Sequence, residues 1–266
     1  MLYYCAVRVI LVRDYDQVSV RAAQFVADEI KKNPSLVLGL PTGSTPVGMY
    51  KELVKLFQSG TISFKKASAF QLDEYVGLAP DHPQSYQFFL KDHFLDNVDF
   101  PASNAHFLDG MSQDIPKTCD IYETSIRKSG GLGLVILGIG RDGHIAFNEP
   151  GSSLSSRTRL KTLDHTTIRD NARFFDQPED VPKFAVTMGV GTIMDSKMVL
   201  LLASGRNKAQ VVSDVVEGPM TAMVTGSILQ MHPKVTVIID GEAATRLRRL
   251  DYYTKVEEMW DEKLSV

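Results

Sequence analysis

Short apolar runs recur along this chain at intervals that leave room for a helix between them, and that recurrence limits the fold more than any other feature. Val7 to Val12, Leu36 to Leu40, Ala67 to Leu72, Leu132 to Ile139, Met198 to Ala203 and Val235 to Ile239 each read as a strand. Apolar residues return at helical spacing between them; Val18, Ala22, Phe25, Val26 and Ile30 share one side of a segment from Asp16 to Lys31. Strands apolar on both sides need cover on both sides, so the pattern predicts a parallel-dominated sheet with helices on each face. The expected fold class is α/β: a three-layer α/β/α sandwich with a mostly parallel, Rossmann-like open sheet. Residues 1–266 form one expected domain, with the polar, basic stretch around 157–185 as a candidate mobile lid.

Local signals fill in the rest. Helices are predicted from Gln84 to Phe94 and Ile115 to Lys128, with a closing charged helix from Glu242 to about Glu257. Ala105 to Leu108 and Ala185 to Met188 are strand-like, while Val190 to Asp195 and Thr221 to Leu229 read as short helices. The net charge of -3 gives no general attraction to nucleic acid or anionic membrane, so an anionic ligand must be held by local cations and backbone N–H groups. Two cysteines, Cys5 and Cys119, make no disulfide framework and suit a reducing compartment. The start, Met1 to Val12, is broken by Arg8 and lacks the features of a signal peptide, and no run is long enough for a membrane span. The expected location is the cytoplasm.

Chemistry concentrates at the ends of the apolar runs. After Leu132–Ile139 comes a glycine-rich stretch, Gly138 to Gly151, that offers Asp142, His144 and Glu149. A histidine beside carboxylates can both donate and accept a proton near neutral pH. The same three residues could form a metal-ligand set, yet nothing matches a His-Glu-x-x-His or cysteine-rich zinc pattern, and no metal is expected. Asp73 and Glu74 directly follow another strand; one of them can reach a crevice at its end, or Asp73 can cap a helix. Pro41-Thr42-Gly43-Ser44-Thr45-Pro46 is a turn from strand to helix, with Ser44 or Thr45 as the expected cap and backbone N–H groups open to an anion. Ser204-Gly205-Arg206-Asn207-Lys208 is a second such turn, and a lysine at a helix start favours a compensating anion. Neither turn is a nucleotide fingerprint, and no Gly-x-Ser-x-Gly elbow is present. Together they fit a phosphorylated small molecule.

Four motifs then define a resemblance. Leu40 to Pro46, Asp73-Glu74-Tyr75-Val76-Gly77-Leu78, Gly140 to Pro150 and Ser155-Ser156-Arg157-Thr158-Arg159 are similar to those of the glucosamine-6-phosphate deaminase family, and the likeness runs from about Val9 to the closing helix. It departs at Ser44, where many relatives carry glycine. The resemblance implies conversion of D-glucosamine 6-phosphate and water to D-fructose 6-phosphate and ammonia, with no cofactor. By the same resemblance Asp73 moves the proton between C2 and C1, His144 assists ring opening, and Asp142 and Glu149 are its carboxylate partners. Gly43, Ser44, Thr45, Arg173 and Lys208 fall around the phosphate. Ser152, Arg159, Lys161 and Thr162 match an intersubunit site for the activator N-acetylglucosamine 6-phosphate, and a homohexamer is implied. The competing expectations are a 6-phosphogluconolactonase-like hydrolase, which needs no C2 proton shift, and a sugar-phosphate sensor, for which the chain leaves no DNA-binding module.

Overall fold

The computed structural model describes residues 7–264; Cys5 and the first residues of the N-terminal apolar run lie outside them. Strands β1 (Val7–Val12), β2 (Val37–Leu40), β3 (Ser68–Gln71), β5 (Ala105–His106), β6 (Leu134–Leu137), β9 (Val199–Ala203) and β10 (Val235–Asp240) form one sheet in the order β1-β10-β9-β6-β2-β3-β5. All its pairings are parallel. Alternate residues of each strand enter opposite cores. Leu134 and Ile136 of β6 join a cluster with Val18, Val26 and Ile30 of α1 (Tyr15–Lys32) and with Met49, Tyr50 and Leu53 of α2 (Ser44–Gln58). Val135 and Leu137 face the other way, toward Cys119, Tyr122 and Ile126 of α4 (Ile115–Lys128) and Val211, Val212 and Val215 of α7 (Ala209–Val216). This is the three-layer sandwich that the double-sided apolar runs predict.

The strand order fixes where a ligand can sit. From β2 the chain winds outward through β3 to β5, then returns to the other side of β2 with β6 and winds away through β9 and β10. β2 and β6 are thus adjacent strands whose connections leave in opposite directions, and a crevice opens beyond their carboxyl ends. Leu38 pairs with Leu134 and Gly39 with Val135 there; a Cβ on Gly39 would lie 3.1 Å from a methyl of Val135.

Three parts differ from expectation. Residues 73–75 are a strand of their own, β4 (Asp73–Tyr75), in a small antiparallel sheet ordered β4-β8-β7 with β8 (Phe184–Thr187) and β7 (Arg159–Thr162). The basic stretch therefore contains a paired strand, followed by α5 (His165–Asn171). The segment near 221–229 is not an α-helix. Thr221 bridges to Val224, and a 3₁₀ run follows from Thr225 to Met231; the loop after β6 takes one N–H and one C=O of the segment, Gly226 donating to the Gly143 carbonyl and the Ala222 carbonyl accepting the Gly151 N–H. The closing helix, α8 (Leu250–Leu264), starts eight residues late: residues 241–246 form turns, and the Glu217 carboxylate accepts the N–H groups of Arg248 and Arg249 just ahead of the first turn. The remaining elements, α3 (Tyr86–His93) and α6 (Val190–Met194), lie within a few residues of expectation. Among the described residues no helix is long and apolar enough to cross a membrane.

Candidate active site

Four neighbouring strand ends, β3, β2, β6 and β9, deliver the polar groups to one cavity of about 870 Å³. Asp73 comes after β3; Gly43, Ser44 and Thr45 after β2; Asp142 and His144 after β6; and Lys208 after β9. Arg173, in a 3₁₀ turn behind α5, completes the lining from the far wall.

The loop after β6 is held rigidly. Gly140 N–H donates to His144 C=O at 2.9 Å, Gly226 N–H donates to Gly143 C=O at 2.9 Å, and Phe147 N–H donates to Thr187 Oγ1 at 3.0 Å. Asn148, fully buried, donates through Nδ2 to the carbonyls of Ile145 and Met188. Ala146 is kept at φ 48°, a conformation side chains other than glycine seldom adopt and one that the surrounding bonds must maintain. The His144 ring lies flat against Gly140: a Cβ at position 140 would come within 2.5 Å of the ring Nδ1. That close approach is the reason for glycine here.

Both carboxylates approach the same ring nitrogen. Nδ1 of His144 is 2.7 Å from Oδ1 of Asp142 and 3.4 Å from Oε2 of Glu149, although neither oxygen lies in line for a full hydrogen bond. Burial opposes a charge on the imidazole, but the two carboxylates outweigh it and raise its pKa to about 9. For Asp142 burial works upward, and the bond and charge from His144 prevail, so its pKa is lowered. The ring is thus an imidazolium at neutral pH, with Nε2 left for the cavity. Ligand-capable atoms of Asp142, His144 and Glu149 all lie within 4.8 Å of one another. The 2.7 Å separation is shorter than the ~3.3 Å edge between two ligands of a tetrahedral ion held at ~2.0 Å.

Asp73 is 7% exposed, and burial first, then the charge of Glu74, push its pKa up to about 7, with His144 acting the other way. It does not cap a helix. Also on the cavity lining, Gly43 is the N-cap of α2, with φ 94° and no side-chain cap, so neither Ser44 nor Thr45 takes that role. The first-turn N–H groups of this helix lack intrahelical acceptors and carry the positive end of its dipole. Lys208 is half-buried and donates from Nζ to the Ile139 carbonyl at 2.6 Å; burial, then Arg141, lower its pKa. Its turn is held by Asp240, which accepts from Ser204 Oγ and from Gly205 N–H.

Glu149 stands behind His144, 3% exposed, and accepts the Asp164 N–H through Oε1. The four residues expected at an effector site lie outside the cavity. Ser152 is buried with its hydroxyl unpaired, Arg159 donates to Oδ1 of Asn148 at 2.9 Å, and Lys161 and Thr162 end β7. Sequence reasoning missed Arg141, which pairs with Asp170 of α5 at 3.5 Å, and the aromatic wall of Tyr75, Tyr86, Phe147 and Phe175. Arg141 stood inside the quoted motif, but only the fold shows α5 opposite it.

An open α/β sheet with a switch-point cavity, a buried carboxylate at one wall, a charged imidazole beside it and an anion cradle opposite defines an acid–base enzyme for a small phosphorylated molecule. Residues 14–237 match the family model of glucosamine-6-phosphate isomerases/6-phosphogluconolactonase, and the chain belongs to that family. It is 46% identical over 238 residues to a glucosamine-6-phosphate deaminase of Thermoanaerobacter pseudethanolicus, covering 90% of this chain and 94% of the relative. A solved structure described as a monomeric glucosamine-6-phosphate deaminase superposes with a TM-score of 0.88 at 43% identity, over 90% of this chain and 99% of that one. A 6-phosphogluconolactonase from Trypanosoma brucei shares the fold, with a TM-score of 0.73 at 20% identity over 90% of this chain and 98% of that one.

The monomeric relative overturns the expected homohexamer.

Proposed function

We infer that this chain converts D-glucosamine 6-phosphate and water to D-fructose 6-phosphate and ammonia, a step of amino-sugar catabolism. The observation that carries the reading is one cavity lined by a carboxyl near neutrality, Asp73, a protonated histidine, His144, a helix N-terminus and Lys208. The deaminase relatives over nearly the whole chain support it.

Phosphate sits at the N-terminus of α2 against Gly43, Ser44 and Thr45, with Lys208 and Arg173 neutralising it. That remote binding aligns the reacting end of the sugar. The His144 imidazolium, held by Asp142 and Glu149, delivers a proton to the ring oxygen and recovers one from the anomeric hydroxyl, which opens the ring. Asp73 then removes the C2 proton. The electron pair is accommodated by the sugar's own C1 carbonyl, so no cofactor is required. The His144 imidazolium protonates the enolate oxygen on C1 and Asp73 returns its proton to C1, leaving a hydroxymethyl group and an iminium at C2; water adds to the iminium, the proton it releases returns to His144, and ammonia leaves as the C2 ketone forms. A cytoplasmic setting suits this phosphorylated substrate and the two-cysteine composition.

The test is incubation of purified protein with glucosamine 6-phosphate in the presence of a chelator, measuring ammonia and fructose 6-phosphate. Equal amounts of the two are expected. No ammonia, under conditions where 6-phosphogluconolactone is hydrolysed, refutes the reading.

A further inference from the structure

Two adjacent carboxylates open β4, and the reaction as derived uses only Asp73. Glu74 is 2% exposed. Its Oε1 accepts the backbone N–H groups of Tyr75 and Tyr86, each at 2.9 Å. Its Oε2 accepts the Gln87 N–H at 2.9 Å and Nε2 of Gln71 at 3.0 Å. Tyr86 and Gln87 are the first two residues of α3, so Glu74 satisfies two donors that the helix cannot. Gln71 is held in turn by the Leu108 N–H, which donates to its Oε1 and orients the amide with Nε2 toward Glu74. Gly110 closes the space behind: a Cβ there would lie 2.1 Å from the Tyr75 carbonyl oxygen and 3.3 Å from Cγ of Glu74.

An ordinary cap for α3 already exists, because the Ser85 hydroxyl accepts the Phe88 N–H. A buried carboxylate is an expensive addition to it. Burial raises the pKa of Glu74 on balance, and its four donors hold that rise back. With N–H groups filling every acceptor direction, a proton on Glu74 would face a donor, so the ionised form is the one this arrangement accommodates.

We propose that Glu74 is the positioning residue for Asp73, a fixed carboxylate that pins β4 to the N-terminus of α3 and sets a second negative charge beside the base. The proposal rests on Asp73 being the group that moves the C2 proton. Pinning holds Asp73 in register opposite Thr187 of β8, at the rim of the cavity. The charge acts on proton affinity. The ionisable groups acting on Asp73 from other elements are His144 in the loop after β6, Tyr86 on α3 and Tyr122 on α4, with Tyr75 on its own strand. Burial raises all three phenols, so they stay neutral; Glu74 supplies the negative charge and His144 the positive one. A carboxylate near its ordinary pKa is a poor base for a carbon-bound proton, and a like charge at its side brings it closer to the working pH.

The experiment compares pH profiles of kcat for the full chain and for Glu74→Gln, Glu74→Asp and Asp73→Asn, with glucosamine 6-phosphate as substrate and folding followed by circular dichroism. Glu74→Gln should hold KM within about threefold, lose about tenfold in kcat, and move the acid limb down by about one pH unit. Glu74→Asp keeps the charge but cannot reach both Tyr86 and Gln87, so its limb stays in place while kcat falls. An unmoved acid limb in folded Glu74→Gln, or parental kcat in Glu74→Asp, overturns the proposal. If Glu74→Gln does not fold, Glu74→Asp decides: a fixed limb with reduced kcat supports the proposal, and a shifted limb overturns it. Asp73→Asn separates the two readings. Near-parental turnover there removes Asp73 as base, whereas an inactive Asp73→Asn beside an unmoved limb in Glu74→Gln removes only the role of Glu74.

Discussion

At the scale of single residues the proposed chemistry depends on two protonation states that must coexist: Asp73 without its proton and His144 with one. Burial first and Glu74 second bring Asp73 to about 7, and two carboxylates carry His144 to about 9 against burial. The signs follow directly. Below about 7 the base is blocked by its own proton, and above about 9 the imidazole has none to give. The kcat/KM profile should therefore be a bell with its maximum between those values, and Glu149→Gln should move the alkaline limb down by removing one of the carboxylates that raise His144. A profile flat across that window would refute the paired roles. Asp73, His144, Asp142 and Glu149 were legible in the sequence because motif and residue type coincide there. The cap of α3 was not. Asp73 offered a capping carboxylate, but Ser85 is the N-cap, and Glu74, twelve positions before the helix, takes two further first-turn N–H groups by a tertiary contact.

At the scale of elements, the loop after β6 performs two tasks with one backbone. Gly140 accepts the His144 ring against its Cα, and Gly143 and Ala146 turn the chain so that Glu149 comes back behind the ring. Gly140→Ala should leave the sheet intact but displace the imidazole, because its Cβ would overlap the ring. A displacement of about 1 Å is worth on the order of a 10²-fold loss in kcat, with KM changed much less since the phosphate cradle is elsewhere. Steady-state kinetics with a circular dichroism control checks this, and unchanged kcat would mean the ring has room to adapt. Amphipathic elements such as β1 and α4 were readable from periodicity and lie where expected to the residue, whereas the seven-residue α5 was not foreseen and α8 starts late. β4, three residues long, has no period to detect, and the 225–231 segment obeys partners in another loop rather than its own pattern.

At the scale of the whole molecule, the net charge of -3 attracts no anion, so affinity must come from the local field of the α2 N-terminus, Lys208 and Arg173. Fructose 6-phosphate at a hundred times its Kd should stabilise the fold by about 2.7 kcal/mol, which raises Tm by roughly 5–10 °C for a chain of this size. Lys208→Ala should abolish most of that shift at the same concentration in a thermal melt. A full shift in the variant would exclude Lys208 as a ligand.

The sequence by itself determined the layers, since apolar runs two-sided along a strand and one-sided along a helix leave a covered parallel sheet as the arrangement that buries them. It also singled out Asp73, Asp142, His144 and Glu149 as acid–base candidates, because their motifs are long. Only the tertiary structure decided that β2 and β6 stand side by side with connections leaving in opposite directions, which brings Gly43, Asp73, His144 and Lys208 to one cavity from positions up to 165 residues apart. Strand order depends on which faces pack together across the sheet, and no local pattern encodes it. The same is true of Glu74 and Asp170, whose partners lie on other elements and whose functions exist only once those elements have met.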